Sequence, residues 1–279
     1  MRKQLFILST LVLFALGSCQ KYAGDPVTQD FNIDGSYIEL QVEDGFEVTV
    51  SDVATAITIT AGENVMPKVV VEKVGNKLCI HLKPMASSYG SEMKVTLPYN
   101  ADLTSVDLFG ASEFHSEFGL DGQKVDVDLS GASEFYCDLY ADEVEIDLSG
   151  ASEFFGDVEA DEIDMDLSGA SKIEGYVAAT ELDIELSGAS DATLEGQITE
   201  LEINLSGASN IIEKVFENRY ALICDRCEGE MSGASDAYIH CDGSIKVSLS
   251  GGSELHYTGN AATTGSSCSG GSVISHDVP

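Results

Sequence analysis

Val144-Glu145-Ile146-Asp147-Leu148-Ser149-Gly150-Ala151-Ser152-Glu153-Phe154-Phe155 is followed nineteen residues later by Ile163-Asp164-Met165-Asp166-Leu167-Ser168-Gly169-Ala170-Ser171. The same phrase returns with its glycine at Gly110, Gly131, Gly188, Gly207, Gly233, Gly251 and Gly270. A beat of this length, sustained over nine copies, marks a solenoid in which each repeat is one turn stacked on the last. Before each glycine, apolar and acidic residues alternate. Positions two, four and six upstream are Leu148, Ile146 and Val144 in one copy and Leu167, Met165 and Ile163 in the next. A period of two is that of a half-buried strand and not of a helix, whose period is 3.6.

Four residues after each glycine comes another apolar position, occupied by Phe114, Phe135, Phe154, Ile173, Ala192, Ile211, Ala237 and Leu255. It reads as the inward residue of a second short strand, and polar corners such as Tyr140-Ala141-Asp142-Glu143 lead into the next turn. The glycine supplies a corner conformation closed to residues with a Cβ, and the small Ala and Ser beside it let corners stack. One turn alone has no core. Stacked about 4.8 Å apart, nine turns make a column on the order of 40 Å long. The reading is therefore all-β: a right-handed parallel β-helix of about nineteen residues per turn, the hand following the preference of parallel crossovers.

The chain has 279 residues, and one elongated domain absorbs nearly all of them. Residues 1–18 read as a lipoprotein signal peptide: Arg2 and Lys3, an apolar run from Leu5 to Leu16, then Leu16-Gly17-Ser18-Cys19. The run is too short to span a bilayer. Small residues before a cysteine suit lipidation at Cys19, which makes the membrane the first expected partner. The expected address is the cell envelope, on the outer membrane, with the surface and periplasmic faces both open. Residues 19–30 read as a flexible tether and 31–274 as one domain, less regular over 31–100 and repetitive over 101–274.

The formal net charge is −34. Such a surface repels nucleic acid and anionic headgroups, so nucleic acid is excluded as a partner. Between Phe31 and Pro98 the nineteen-residue beat is absent, yet runs such as Tyr37–Val42, Phe46–Val50 and Lys68–Val71 still read as strands. Asp44-Gly45 and Gly75-Asn76 read as hairpin turns. This segment is expected to form irregular early turns and to shield the open N-terminal edge.

The stretch Leu97-Pro98 with Leu103-Thr104-Ser105-Val106-Asp107-Leu108-Phe109-Gly110-Ala111-Ser112 is distinctive. So are Ser250-Gly251-Gly252-Ser253, Tyr257-Thr258-Gly259-Asn260 and Ser269-Gly270-Gly271-Ser272. Together they resemble the head GIN domain family of auto-transporter adhesins, a domain of unknown function found in bacterial lipoproteins. The resemblance spans roughly Tyr37 to Val273. It implies a β-helical fold and an exported location, and it supplies no catalytic residues.

Four features are candidate sites. Asp128, Asp147, Asp166 and Glu185 recur three residues before successive glycines and would stand about 5 Å apart. They read either as a solvated acidic face or as a weak Ca²⁺ ladder, since Ca²⁺ accepts oxygens at that spacing and relieves their repulsion. No other cofactor is expected. His115, Tyr136 and Phe155 follow the inward phenylalanines and so point outward. They read either as contacts for a sugar or a partner, or as a surface covered by a loop or a second subunit, a trimer being compatible with an adhesin-like head.

Beyond Cys19 there are six cysteines: Cys79, Cys137, Cys224, Cys227, Cys241 and Cys268. An even number in an oxidising compartment permits fifteen disulfide pairings. Cys227 and Cys268 fall on inward columns, which favours buried thiols or one structural bridge. The isolated Cys224-Asp225-Arg226-Cys227 lacks the second pair that zinc wants. Last, the step from Gly207 to Gly233 carries about seven extra residues centred on 213–220, which insert as a loop.

Parallel β-helices often act on polysaccharides, so a lyase or glycosidase is one functional class. Carboxylates stand on every turn here, so no catalytic pair is distinguished. The recurrent serines Ser133, Ser152 and Ser171 point to corner hydrogen bonding and not to one nucleophile. The sequence therefore reads as a non-enzymatic, lipid-anchored surface module binding glycan or protein. A polysaccharide-active enzyme and a periplasmic structural or envelope-stress factor are the alternatives.

Overall fold

The computed structural model describes residues 23–212 and 222–277. The signal peptide and lipidated Cys19 read from the sequence, and the insertion read at 213–220, lie outside the described residues. The fold is an all-β parallel solenoid of about nine turns with ~19 residues per turn.

The repeats stack like on like. Val144, Ile146 and Leu148 pair in register with Ile163, Met165 and Leu167, which pair in turn with Leu182, Ile184 and Leu186. Each of these side chains is buried. Phe114, Phe135 and Phe154 form a second inward column, fully buried, with adjacent rings 5.2 Å apart and 13° from parallel. One turn carries three strand segments, such as Glu153–Phe155, Val158–Glu159 and Glu162–Leu167.

The repeated Gly-Ala-Ser has a physical account at each atom. Gly150 and Gly169 sit at φ +78° and +81°, in the left-handed region that side chains disfavour. A Cβ on Gly169 would lie 2.5 Å from the carbonyl oxygen of Gly150 one turn away. The next residue donates across the turns: Ala151 N–H to Gly131 O and Ala170 N–H to Gly150 O, at 2.8 and 2.7 Å. The serine points into the bore, and its hydroxyl donates back to the carbonyl three residues earlier, as from Ser152 Oγ to Ser149 O at 2.9 Å. Eight serines from Ser112 to Ser253 are buried in this way. A hydroxyl committed to the corner is satisfied in the apolar bore and is not a free nucleophile.

The N-terminal region joins the same column in a non-sequential order. Its strands are β1 (Pro26–Phe31), β2 (Glu39–Val42), β3 (Glu47–Ser51), β4 (Ile57–Gly62), β5 (Val69–Val74), β6 (Lys77–Leu82) and β7 (Lys94–Pro98). The first repeat turn holds β8 (Ser105–Leu108) and β9 (Glu113–His115). Strand β2 lies between β6 and β8, parallel to both, and β3 lies between β7 and β9 likewise. The chain thus builds one rung with β2 and β3, lays β6 and β7 on its outer side, and returns to its inner side to begin the repeats. Antiparallel strands then close the outer edge: β5 on β6, β4 on β7 and β1 on β4. An exposed parallel edge would otherwise present unpaired amides and carbonyls to other chains.

Two expectations change here. Gly75-Asn76 does turn the β5–β6 hairpin, but Asp44-Gly45 does not join paired strands. It is the corner of the β2–β3 rung and lies against the Gly110 corner, where the Gly45 amide donates to Ser112 Oγ at 3.2 Å. Both residues have positive φ, 67° and 82°, so the Asp-Gly signal marks the same backbone shape as a hairpin turn in a different topology. Residues 26–30, read as part of a flexible tether, instead belong to β1, which pairs with β4 along its whole length.

Candidate binding faces

Stacking carries the outward residues into columns as strictly as the inward ones. Asp128, Asp147, Asp166 and Glu185 are consecutive register partners, continued by Asn204, Glu230, Ser248 and Ser267. They form one wall of a groove of about 670 Å³ that runs along the column from Asp128 to Ser269. Its other wall is the serine that precedes each glycine: Ser149, Ser168, Ser187, Ser206, Ser232, Ser250 and Ser269. The floor is apolar, formed by Leu148, Leu167, Leu186, Leu205, Met231 and Leu249. The four acidic residues named from the sequence are thus brought to one site. The serine wall was missed, although its signal was present as the invariant Ser before every glycine from Gly131 onward.

The groove is graded. Carboxylates line it from Asp128 to Glu185, and amide and hydroxyl groups dominate from Asn204 to Ser269, with Glu230 the exception. Asp128 and Asp147 have raised pKa values, first through partial burial and then through the carboxylates stacked next to them, Asp107 and Asp166 respectively. Among the described residues no three His, Cys, Asp or Glu side chains converge in a way that could hold a metal ion. The ladder keeps its carboxylates in file along the axis.

A second acidic column lies two residues upstream: Asp126, Glu145, Asp164, Asp183 and Glu202. Lys124 neutralises its start, reaching Glu143 and Glu145 at 2.7 Å each and Asp126 at 3.5 Å. Among the described residues Asp183 has no ion pair, and Arg226, which lines a groove with it, is taken up by Glu200. Asp183 Oδ1 is buried without a hydrogen-bond partner, and the Asp183 pKa is raised to about 6, first by burial and then by Glu202 and Asp164.

The aromatic column is present as read, but its geometry limits its use. His115 and Tyr136 stack with ring centroids 4.5 Å apart, and Tyr136 and Phe155 at 4.9 Å, all within 10° of parallel. The ring faces are therefore spent on one another, and the edges look outward. Lys172 closes one end, its ammonium 5.2 Å from the Phe155 ring centroid. Tyr136 Oη donates to Glu134 Oε2 at 2.6 Å, which raises its pKa to about 12. A sugar stacks on ring faces, and these are occupied; the column is held together by its own members.

The cysteines correct one expectation. Cys227 is buried on its inward column, but Cys268 is exposed, because it lies in the short Ser267–Cys268 strand of the final turn. All six cysteines from Cys79 to Cys268 are free thiols in the structure.

The described turns thus form a solenoid with a graded side groove and with serines locked in its corners. The chain belongs to the family described as putative auto-transporter adhesin, head GIN domain, whose model matches residues 36–177 and 154–261. Solved structures at 16–17% identity share the fold. A putative adhesin from Parabacteroides distasonis ATCC 8503 has a TM-score of 0.66 at 16% identity, covering 90% of this chain and 97% of its own. A putative lipid binding protein from the same organism has a TM-score of 0.63 at 17% identity, covering 91% and 98%. A putative adhesin from Parabacteroides merdae ATCC 43184 gives 0.63 at 17% identity, covering 91% and 97%. No curated protein matches the chain. The family description supports an adhesin-like or binding role at the cell envelope and is not that of an enzyme.

Proposed function

We propose that this protein is a lipid-anchored envelope module that binds a linear, neutral or amine-bearing glycan along the Asp128–Ser269 groove. The observation that carries the reading is the groove's chemistry: hydroxyls on one wall, carboxylates grading into amide and hydroxyl on the other, repeated at every turn. Hydroxyl-rich chains are held by many such hydrogen bonds, those to the carboxylates being charge-assisted and stronger than those to the serines. One pyranose ring is comparable in length to the ~4.8 Å rise between turns, so a linear glycan can repeat its contacts in step with the protein. The carboxylates disfavour polyuronates and sulfated chains. One structural neighbour is described as lipid binding, but an acyl chain would strand the polar walls of this groove without partners. Diacylation at Cys19 supplies the anchor and holds the column at the membrane.

A glycan array probed with the soluble chain tests the binding. Retention of neutral or aminated linear glycans is expected. The pair Asp147→Arg and Asp166→Arg should abolish it by filling the groove, whereas Tyr136→Ala should leave it intact. Binding that ignores the arginine pair, or that depends on Tyr136, would move the site to another face. Acyl labelling of wild type against Cys19→Ala tests the anchor separately.

A further inference from the structure

Of the six free thiols, one pair stands in register on adjacent turns. Cys224 in Leu222–Met231 is the direct partner of Cys241 in Asp236–Leu249. The others have no such counterpart: Cys227 pairs with Leu201 and Ile245, Cys79 with Gln41 and Glu72, and Cys268 with Leu249. In-register residues of neighbouring strands have their Cα atoms about 4.8 Å apart, inside the 4.4–6.8 Å range of disulfides. Both side chains enter the bore, at 1% and 0% exposure. Cys241 Sγ donates to the carbonyls of Asp225 at 3.5 Å and Ser244 at 3.6 Å, and the neighbouring Cys241 thiol, with burial adding to it, raises the pKa of Cys224. The proximity of Cys224 lowers Cys241, against its burial and with help from the backbone of Gly243 and Ser244. The register shifts between Cys224 and Arg226, so the backbone beside the pair is already a bulge with room to adjust.

We propose that Cys224 and Cys241 are a disulfide-forming pair that staples these two turns together as they dock, before the bore closes over them. The oxidant is an external disulfide, either a small molecule or a thiol–disulfide exchange protein. The Cys241 thiolate attacks one of its sulfurs, forming a mixed disulfide and expelling the first oxidant thiolate. The Cys224 thiolate then attacks Cys241 Sγ and expels the second. Two protons and two electrons leave the pair, and the oxidant becomes two thiols. The place is mechanically apt. The Leu222–Met231 strand follows the extra residues centred on 213–220, inside the long step from Gly207 to Gly233 where the nineteen-residue beat is broken. A slip of one residue there would turn every inward side chain outward.

The test is independent of the anchor and of any ligand. The reduced, denatured full chain is refolded in a glutathione redox buffer, alkylated in denaturant without reductant, and digested. Peptides holding Cys224 and Cys241 should be recovered joined, with Cys79, Cys137, Cys227 and Cys268 alkylated. Reducing the refolded protein should lower Tm by roughly 5–10 °C. The variant Cys224→Ala with Cys241→Ala should melt at the reduced value and ignore reductant; if it fails to fold, the wild-type peptide map still decides. Free alkylation of Cys224 and Cys241, or a bond that takes in Cys227 instead, overturns the proposal.

Discussion

The two ends of the molecule solve the same packing problem with opposite means. Residues 23–100 carry eleven acidic and five basic side chains, whereas residues from 101 onward carry thirty-seven and six. Both regions feed the same inward columns, since Phe114 sits on Val48, and Val48 on Val95. The N-terminal region varies its rungs, mixes parallel with antiparallel pairing and closes an edge. The repeats copy one rung, so most residues meet a similar residue one turn away. Like-on-like stacking rewards glycine corners, leucine and phenylalanine, and it penalises carboxylates. The difference teaches that repetition is a multiplier with two signs: it amplifies whatever a side chain does to its own copy.

The largest effect should come from the glycines, where the two regions part most sharply. Gly75 lies at φ +65° in the β5–β6 hairpin, with nothing within 4 Å of where its Cβ would stand. Gly75→Ala should cost about 1 kcal/mol of left-handed strain. Gly169 has similar strain, but its Cβ would meet the Gly150 carbonyl at 2.5 Å, and that oxygen accepts the Ala170 amide. Gly169→Ala should therefore cost about 3 kcal/mol or more and part the column at that turn. Chemical denaturation of both variants measures the ratio. Equal costs would mean that the corner stack relaxes freely and that repetition adds nothing there.

The repeats were legible because their physics is local and periodic. Alternation at Val144, Ile146 and Leu148 named the inward face, and the nineteen-residue beat named the stack. The N-terminal order was not legible, because strand strings such as Glu39–Val42 do not say that β6 and β8 will lie on either side of β2. Asp44-Gly45 shows the limit well: the dipeptide encodes positive φ, and only long-range pairing decides whether that shape turns a hairpin or a corner. At the candidate site, the acidic column was readable from spacing. The groove between it and the serines depends on how the chain bends between positions three and one before the glycine, and no residue type records that bend.

Self-repulsion in the acidic columns gives the next effect. An aspartate titrates near 3.9 in an unfolded chain, and Asp183 titrates at about 6 in the fold. The folded state thus binds the proton more tightly, so Asp183 favours folding below pH ~4, and that contribution is lost as pH rises through about 6. Asp126, Asp128, Asp147 and Asp164 are raised in the same sense. Thermal melts should show Tm rising from pH 7 to pH 5, the reverse of acid denaturation. Asp183→Asn should stabilise the protein at pH 7 by about 1 kcal/mol, after allowing for solvent screening, and should flatten part of the pH step. A wild-type Tm that is level or falls over that interval would show that solvent relieves the columns without help from protons.

The smallest effect tests whether a single cation matters more among repeats than near the N-terminus. Lys124 bridges Glu143, Glu145 and Asp126, and its side chain is 42% exposed. Lys94 reaches Glu47 at 3.0 Å from a position of similar exposure. An exposed ion pair is worth little by itself, so the two lysines would be equivalent if pairing were all that counted. Lys124 does something further, because without it Glu143, Glu145 and Asp126 face one another uncompensated. Lys124→Met should therefore lose roughly 0.5–1 kcal/mol at low ionic strength, and the loss should vanish at 1 M salt, where the screening length is only about 3 Å. Lys94→Met should shift Tm less at either salt concentration. Matching shifts for the two variants would mean that the carboxylates of the repeats are already screened by water and counterions, and that the multiplier acts on packing alone.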